Sequence, residues 1–113
     1  MNRWKSDIGY HVTKLTLLEI WPLNSFIGDK QNINVIDVGS NTGLWCQAFM
    51  NTFGEQIASY HAIEPLEGNL KIFKSRIDAG LVPFDSKAVL HQFCVVPHNG
   101  TVEIGFHNEV STL

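Results

Sequence analysis

At 113 residues, with 44% hydrophobic and 17% charged residues, the chain has the size and composition of one globular domain, not of a disordered or fibrous protein. Eight Lys and Arg against eleven Asp and Glu leave a net charge of −3, so no basic field gathers nucleic-acid phosphates or an anionic membrane surface. Cys46 and Cys94 lie in apolar segments without ligand spacing, and His11, His61, His91, His98 and His107 form no zinc-type pair. No apolar run approaches the ~18 residues of a membrane span, and Glu19 and Pro22 interrupt the only N-terminal apolar stretch, which argues against a signal peptide. The expectation is a cytoplasmic protein in a reducing setting, with no metal, nucleic-acid or membrane partner.

Ile8, Val12, Leu15, Leu18 and Trp21 recur at helical spacing, and Pro22 predicts the end of that helix. A polar loop over residues 24–32 leads to a first strand over 34–38. Its nearly unbroken apolar run, Val35, Ile36 and Val38, predicts cover on both faces. A helix over 42–52 buries Trp45, Ala48 and Phe49, with Gly54 as its stop. A short second strand over 59–64 ends at Glu64-Pro65. Leu66, Leu70, Phe73 and Ile77 then share a helix face, Glu67 and Lys71 pair at i,i+4, and Gly80 caps the end. A third strand is expected over 88–96, followed by Asn99-Gly100 and alternating Val102, Ile104 and Phe106, the signature of a hairpin strand. Helix, then β-α-β-α-β, then a hairpin strand is half of a doubly wound α/β sheet.

The chemistry concentrates at Asp37-Val38-Gly39-Ser40-Asn41-Thr42-Gly43, where a strand runs through a glycine-spaced turn into a helix. Gly39 and Gly43 lack the Cβ that would block a ligand's approach to the backbone, and the helix start presents unpaired N–H groups. A dinucleotide fingerprint has glycine where this chain has Asn41, whose side chain stands in the path of a pyrophosphate. That argues against an NAD-type oxidoreductase. Glu64, closing the second strand, has two oxygens suited to the two hydroxyls of a ribose. A nucleoside-like ligand without a pyrophosphate follows. S-adenosylmethionine fits: a ribose for Glu64, an amino-acid tail for the turn, and a cationic sulfur beside an acidic rim that includes Asp37.

The turn from Val35 to Gly43, then Glu64-Pro65 with Asn69 and Leu70, then Gly100-Thr101-Val102-Glu103-Ile104, resemble the FkbM family of S-adenosylmethionine-dependent methyltransferases. The resemblance runs from about Ile33 to the C-terminus. It implies a Rossmann-like class I methyltransferase fold and methyl transfer to a hydroxyl of a small molecule or sugar. It places Asp37, Gly39, Ser40, Asn41 and Gly43 at the methionine end, Glu64 with Pro65 at the ribose, and Cys94 and Val95 beside the adenine. In this division residues 1–32 are an N-terminal helix and loop, and 33–113 are a partial cofactor-binding domain.

The chain departs from the family where Phe93-Cys94-Val95-Val96-Pro97 replaces a polar segment. It also ends at Leu113, before the family's Lys-Ile-Asp-Val-Glu-Gly strand. The expectation is the cofactor-binding half of a methyltransferase, incomplete for catalysis. Its first strand is left as an apolar edge that is marginally stable or pairs with a second copy, giving a homodimer. The alternative is a non-catalytic nucleotide-binding or interaction module. Cys46 and Cys94 read as buried apolar residues, Trp45 and Phe49 as helix core, and His61 as a packed strand residue. His98 and His107 are the residues that could serve as a base, although the sequence identifies none.

Overall fold

The computed structural model describes residues 3–84 and 87–101. The chain opens with helix α1 (Arg3–Leu15), and Pro22 does not end it. A proline ring clashes with the carbonyl four residues back and brings no N–H, which breaks a regular α-helix. Here the cost is absorbed locally. The backbone widens into a π turn over Thr16–Ile20, where the Trp21 N–H donates to the Thr16 carbonyl. It then tightens into a 3-10 turn over Trp21–Leu23 and resumes as α2 (Asn24–Ile27). The expected loop is therefore helical in its first half. Gly28, at a φ of 51°, makes the exit.

Strand β1 (Ile33–Val38) pairs in parallel with β2 (Ile57–Ile63), and β2 pairs in parallel with β3 (Ala88–His91), giving the sheet order β1-β2-β3. Helix α3 (Leu44–Phe53) crosses from β1 to β2, and α4 (Glu67–Asp78) crosses from β2 to β3. The described residues form a small α/β domain with a three-stranded parallel sheet. Gly54 does not stop α3 in a left-handed turn but continues at a helical φ of −54° into a 3-10 turn. At the end of α4, by contrast, Gly80 does what its position predicts. At a φ of 74° its N–H reaches the Ile77 carbonyl and the Leu81 N–H reaches Arg76, a Schellman closure. The expected Glu67–Lys71 pair forms at 3.4 Å in solvent.

One sheet face carries Val35, Tyr60, Ala62 and Leu90, and packs with Ile20, Cys46, Phe49, Met50, Phe53 and Phe73 into the core. The other carries Ile36, Val38, His61, Val89 and His91 by register. Ile36 is 70% exposed and Val38 59%, so the expectation that β1 is covered on both faces fails among the described residues. An apolar run signals burial only where a second layer arrives to supply it. On this open face His61 Nδ1 and His91 Nε2 lie 2.9 Å apart. Their ring centroids are only 5.2 Å apart at 20°, so the two nitrogens point at each other as an in-line hydrogen bond joining β2 to β3.

The third strand ends at His91, not at residue 96, and the following segment has no regular pairing among the described residues. The expected hairpin strand, with His107, lies outside the described residues. No helix among those described is long and apolar enough to cross a membrane.

Gly43 is a point of close approach between the turn and α4. A Cβ placed there would lie 2.7 Å from the ring of buried Phe73, at a φ of 89° that L residues rarely adopt. Gly43→Ala is expected to destabilise the chain by about 1–3 kcal/mol in chemical denaturation. The loss should shrink when Phe73 is also changed to Leu, the less-than-additive result that a direct clash demands.

Candidate functional site

The turn after β1 is built from three left-handed residues: Gly39 at φ 74°, Asn41 at 58° and Gly43 at 89°. Asparagine is among the few side-chain-bearing residues that tolerate this region. The Gly39 and Ser40 N–H groups both donate to the Ile63 carbonyl, which fastens the turn to the end of β2. The Arg76 Nε donates to the Thr42 carbonyl at 2.9 Å from behind, and burial holds its guanidinium below the usual arginine value.

Glu64 completes the clasp. It is not the surface carboxylate that a helix start would favour but is only 2% exposed. Its Oε1 accepts from the Asn41 N–H at 2.9 Å, and Oε2 accepts from the Leu66 N–H at 3.0 Å and from Asn69 Nδ2 at 3.3 Å. One carboxylate thus ties the turn after β1 to the loop that starts α4. Pro65 precedes the helix, and Leu66 is its N-cap.

Asp37 takes the hydrogen bond of a buried tyrosine: the Tyr60 hydroxyl donates to its Oδ2 at 2.5 Å. Burial holds the Asp37 carboxyl above the usual carboxylate range. The tyrosine bond pulls it back down, and the nearby charge of Glu64 pushes it up. Burial likewise pushes the Cys46 thiol up to about 12, which leaves no thiolate for nucleophilic chemistry.

Two hollows meet at Gly39. A cleft of about 520 Å³ is lined by Asp37, Gly39, Ser40, Asn41 and Thr42, with Leu44 and Trp45 from α3 and Leu15 and Glu19 from the N-terminal helix. A smaller hollow of about 260 Å³ lies on the other side, between Val38, Gly39, Ile63 and Pro65 and the segment Phe93, Cys94 and Val95. Asp37, Gly39, Ser40 and Asn41 therefore converge on one side, and Pro65, Cys94 and Val95 on the other. Gly43 lines neither hollow and serves packing, while Glu64 sits behind the turn. His98 lines neither. Phe49 is core, whereas Trp45 stacks on it at 5.1 Å and also lines the cleft. Among the described residues no three His, Cys, Asp or Glu side chains gather as metal ligands.

Sequence reasoning missed Leu15 and Glu19. Their i,i+4 spacing was visible, but nothing local tells a helix which side of a distant turn it will cover. Ser40 Oγ stands out within the cleft. It is buried, with the residue 3% exposed, and has no hydrogen-bond partner among the described residues.

Comparisons with protein-family models, curated proteins and solved structures found no match to this chain.

The raised Asp37 value has a testable sign. The folded state holds this proton more tightly than the unfolded chain, so stability falls as pH rises from the ordinary value of 3.8 through the raised one. Asp37→Asn keeps an acceptor for Tyr60 and removes the buried charge. It is expected to melt above the natural chain at neutral pH, and the gain should vanish below pH 3.8. Thermal melts across pH check both halves.

Proposed function

We propose that the chain is the cofactor-binding portion of an S-adenosylmethionine-dependent methyltransferase with a Rossmann-like half-fold, acting on a hydroxyl of a small-molecule acceptor. The observation that carries this reading is the pair of unlike hollows sharing Gly39 at the carboxyl ends of parallel strands. One carries the Asp37 and Glu19 carboxylates, and the other is flanked by Phe93 and Val95. A ligand with a charged tail and a flat base matches that contrast, and the carboxyl edge of a parallel sheet is where such ligands bind.

The residues present fit the cofactor in two respects. The unpartnered Ser40 Oγ offers a buried hydrogen bond, and Asp37 offers negative charge. Asp37, Gly39, Ser40 and Asn41 would hold the methionine end, with Cys94, Val95 and Pro65 beside the base. Glu64 has used three of roughly four acceptor positions within the fold and would meet the ribose with the one that remains. Bound, the cofactor supplies a methyl group on a cationic sulfur. The protein's part is to orient it and keep water away.

The same Glu64 bonds favour the second reading, a non-catalytic nucleotide-binding or interaction module, in which the carboxylate is purely a clasp. Calorimetric titration with S-adenosylhomocysteine, with NAD as the control, separates the two. Micromolar binding of the former alone, weakened about tenfold in Glu64→Gln while the variant still folds, is expected of the cofactor site. Unchanged affinity in that variant fits the clasp.

The edge of β1, unpaired among the described residues, and the exposed Ile36 and Val38 favour self-association into a homodimer. Sedimentation should find a concentration-dependent dimer that Ile36→Lys abolishes with little loss of stability. A monomer at all concentrations would refute it.

A further inference from the structure

The cleft beside the glycine turn has an acidic wall that does not come from the turn. Its lining includes Glu19 and Asp37, and none of its lining side chains is cationic. Trp45 adds an aromatic surface of the kind that attracts cations. The helix that brings Glu19 is irregular at that point. In a regular α-helix Ile20 would lie about 140° round from Leu15, away from the face that Leu15 turns inward. The π turn over Thr16–Ile20, with the Trp21 N–H on the Thr16 carbonyl, admits one more residue to the turn. Ile20 is then fully buried while Leu15 and Glu19 both line the cleft. Such wide turns are rare, and they recur at functional sites.

Ser40 makes an independent second observation. Its buried hydroxyl has no partner among the described residues and belongs to the lining of the same cleft. Two carboxylates, an indole and an unspent hydroxyl suit a primary ammonium group, which offers three N–H donors around one positive charge.

We propose that the Glu19 wall, set in place by the π turn, is the ammonium subsite of the cleft and selects ligands whose amino-acid tail carries an ammonium group over nucleosides without one. This rests on the methyltransferase reading and adds to it a residue from outside the glycine turn. Asp37 and Ser40 form the floor and Trp45 the side.

The test compares two probes by calorimetry on the full chain. S-adenosylhomocysteine carries the amino-acid tail, and 5′-methylthioadenosine is the same thio-nucleoside without it. Glu19 is exposed, so Glu19→Gln and Glu19→Lys are expected to leave the fold intact, with circular dichroism as the check. Glu19→Gln should weaken S-adenosylhomocysteine about fivefold, and Glu19→Lys more, with 5′-methylthioadenosine held within about twofold in both. Added salt should shrink the difference between the probes. Equal losses for the two probes, no change for either, or tighter S-adenosylhomocysteine binding in Glu19→Gln would overturn the subsite. A folded natural chain that binds neither probe would overturn the methyltransferase reading itself, and the subsite with it.

Discussion

A single buried carboxylate holds the functional end of this domain together. Glu64 lies at the carboxyl end of β2 and receives hydrogen bonds from both flanking connections, Asn41 on one side and Leu66 with Asn69 on the other. A carboxylate withdrawn from water needs such partners, since desolvation is costly and only good hydrogen bonds offset it. The turn after β1 in turn depends on Glu64. Three residues at positive φ do not hold their shape by propensity, and the Asn41 N–H is committed to that oxygen. Backbone bonds from Gly39 and Ser40 to the Ile63 carbonyl and the Arg76 contact at Thr42 fix the rest. Rigidity here comes from tertiary contacts made by a few polar groups.

The packing below the turn works by close approach. Gly43 exists because Phe73 needs its space, and the ring then fills the junction of α3 and α4. Tyr60 fills the centre of the sheet and brings a hydroxyl that must be satisfied, which Asp37 does at the rim of the cleft. Burying that carboxylate lowers stability near neutral pH. A charged group retained at such a cost, in a cleft, is a mark of function over stability.

Local signals were legible in the sequence. The first strand and its glycine turn, the α3 and α4 helices, the Gly80 closure and the Glu67–Lys71 pair all follow from residues within a few positions of one another. Contacts across the fold were not. Pro22 reads as a stop because local sterics alone say so, yet burial of Ile20 and Ile27 against the core holds the helix together through a wide turn and a tight one. The third strand looks long because residues 93–96 are apolar, but pairing ends with β2 at Ile63. Val35, Ile36 and Val38 read as doubly covered, although only a second layer can cover Ile36. Within the site, the convergence of Asp37, Gly39, Ser40 and Asn41 was visible as a motif. The burial of Glu64 and the arrival of Glu19 depend on the whole fold.

The sheet order sets how the domain breathes. β2 is hydrogen-bonded on both sides, and its Ile57, Tyr60 and Ala62 are among the least exposed residues. β1 and β3 are each bonded on one side among the described residues. Amide protons in β2 should therefore exchange only through global opening, while those of the outer strands leak through smaller local excursions. The glycine turn hangs from an outer strand, but its anchors, Ile63 and Glu64, belong to the end of the central one. Fraying at the margins of the sheet therefore need not reach the turn.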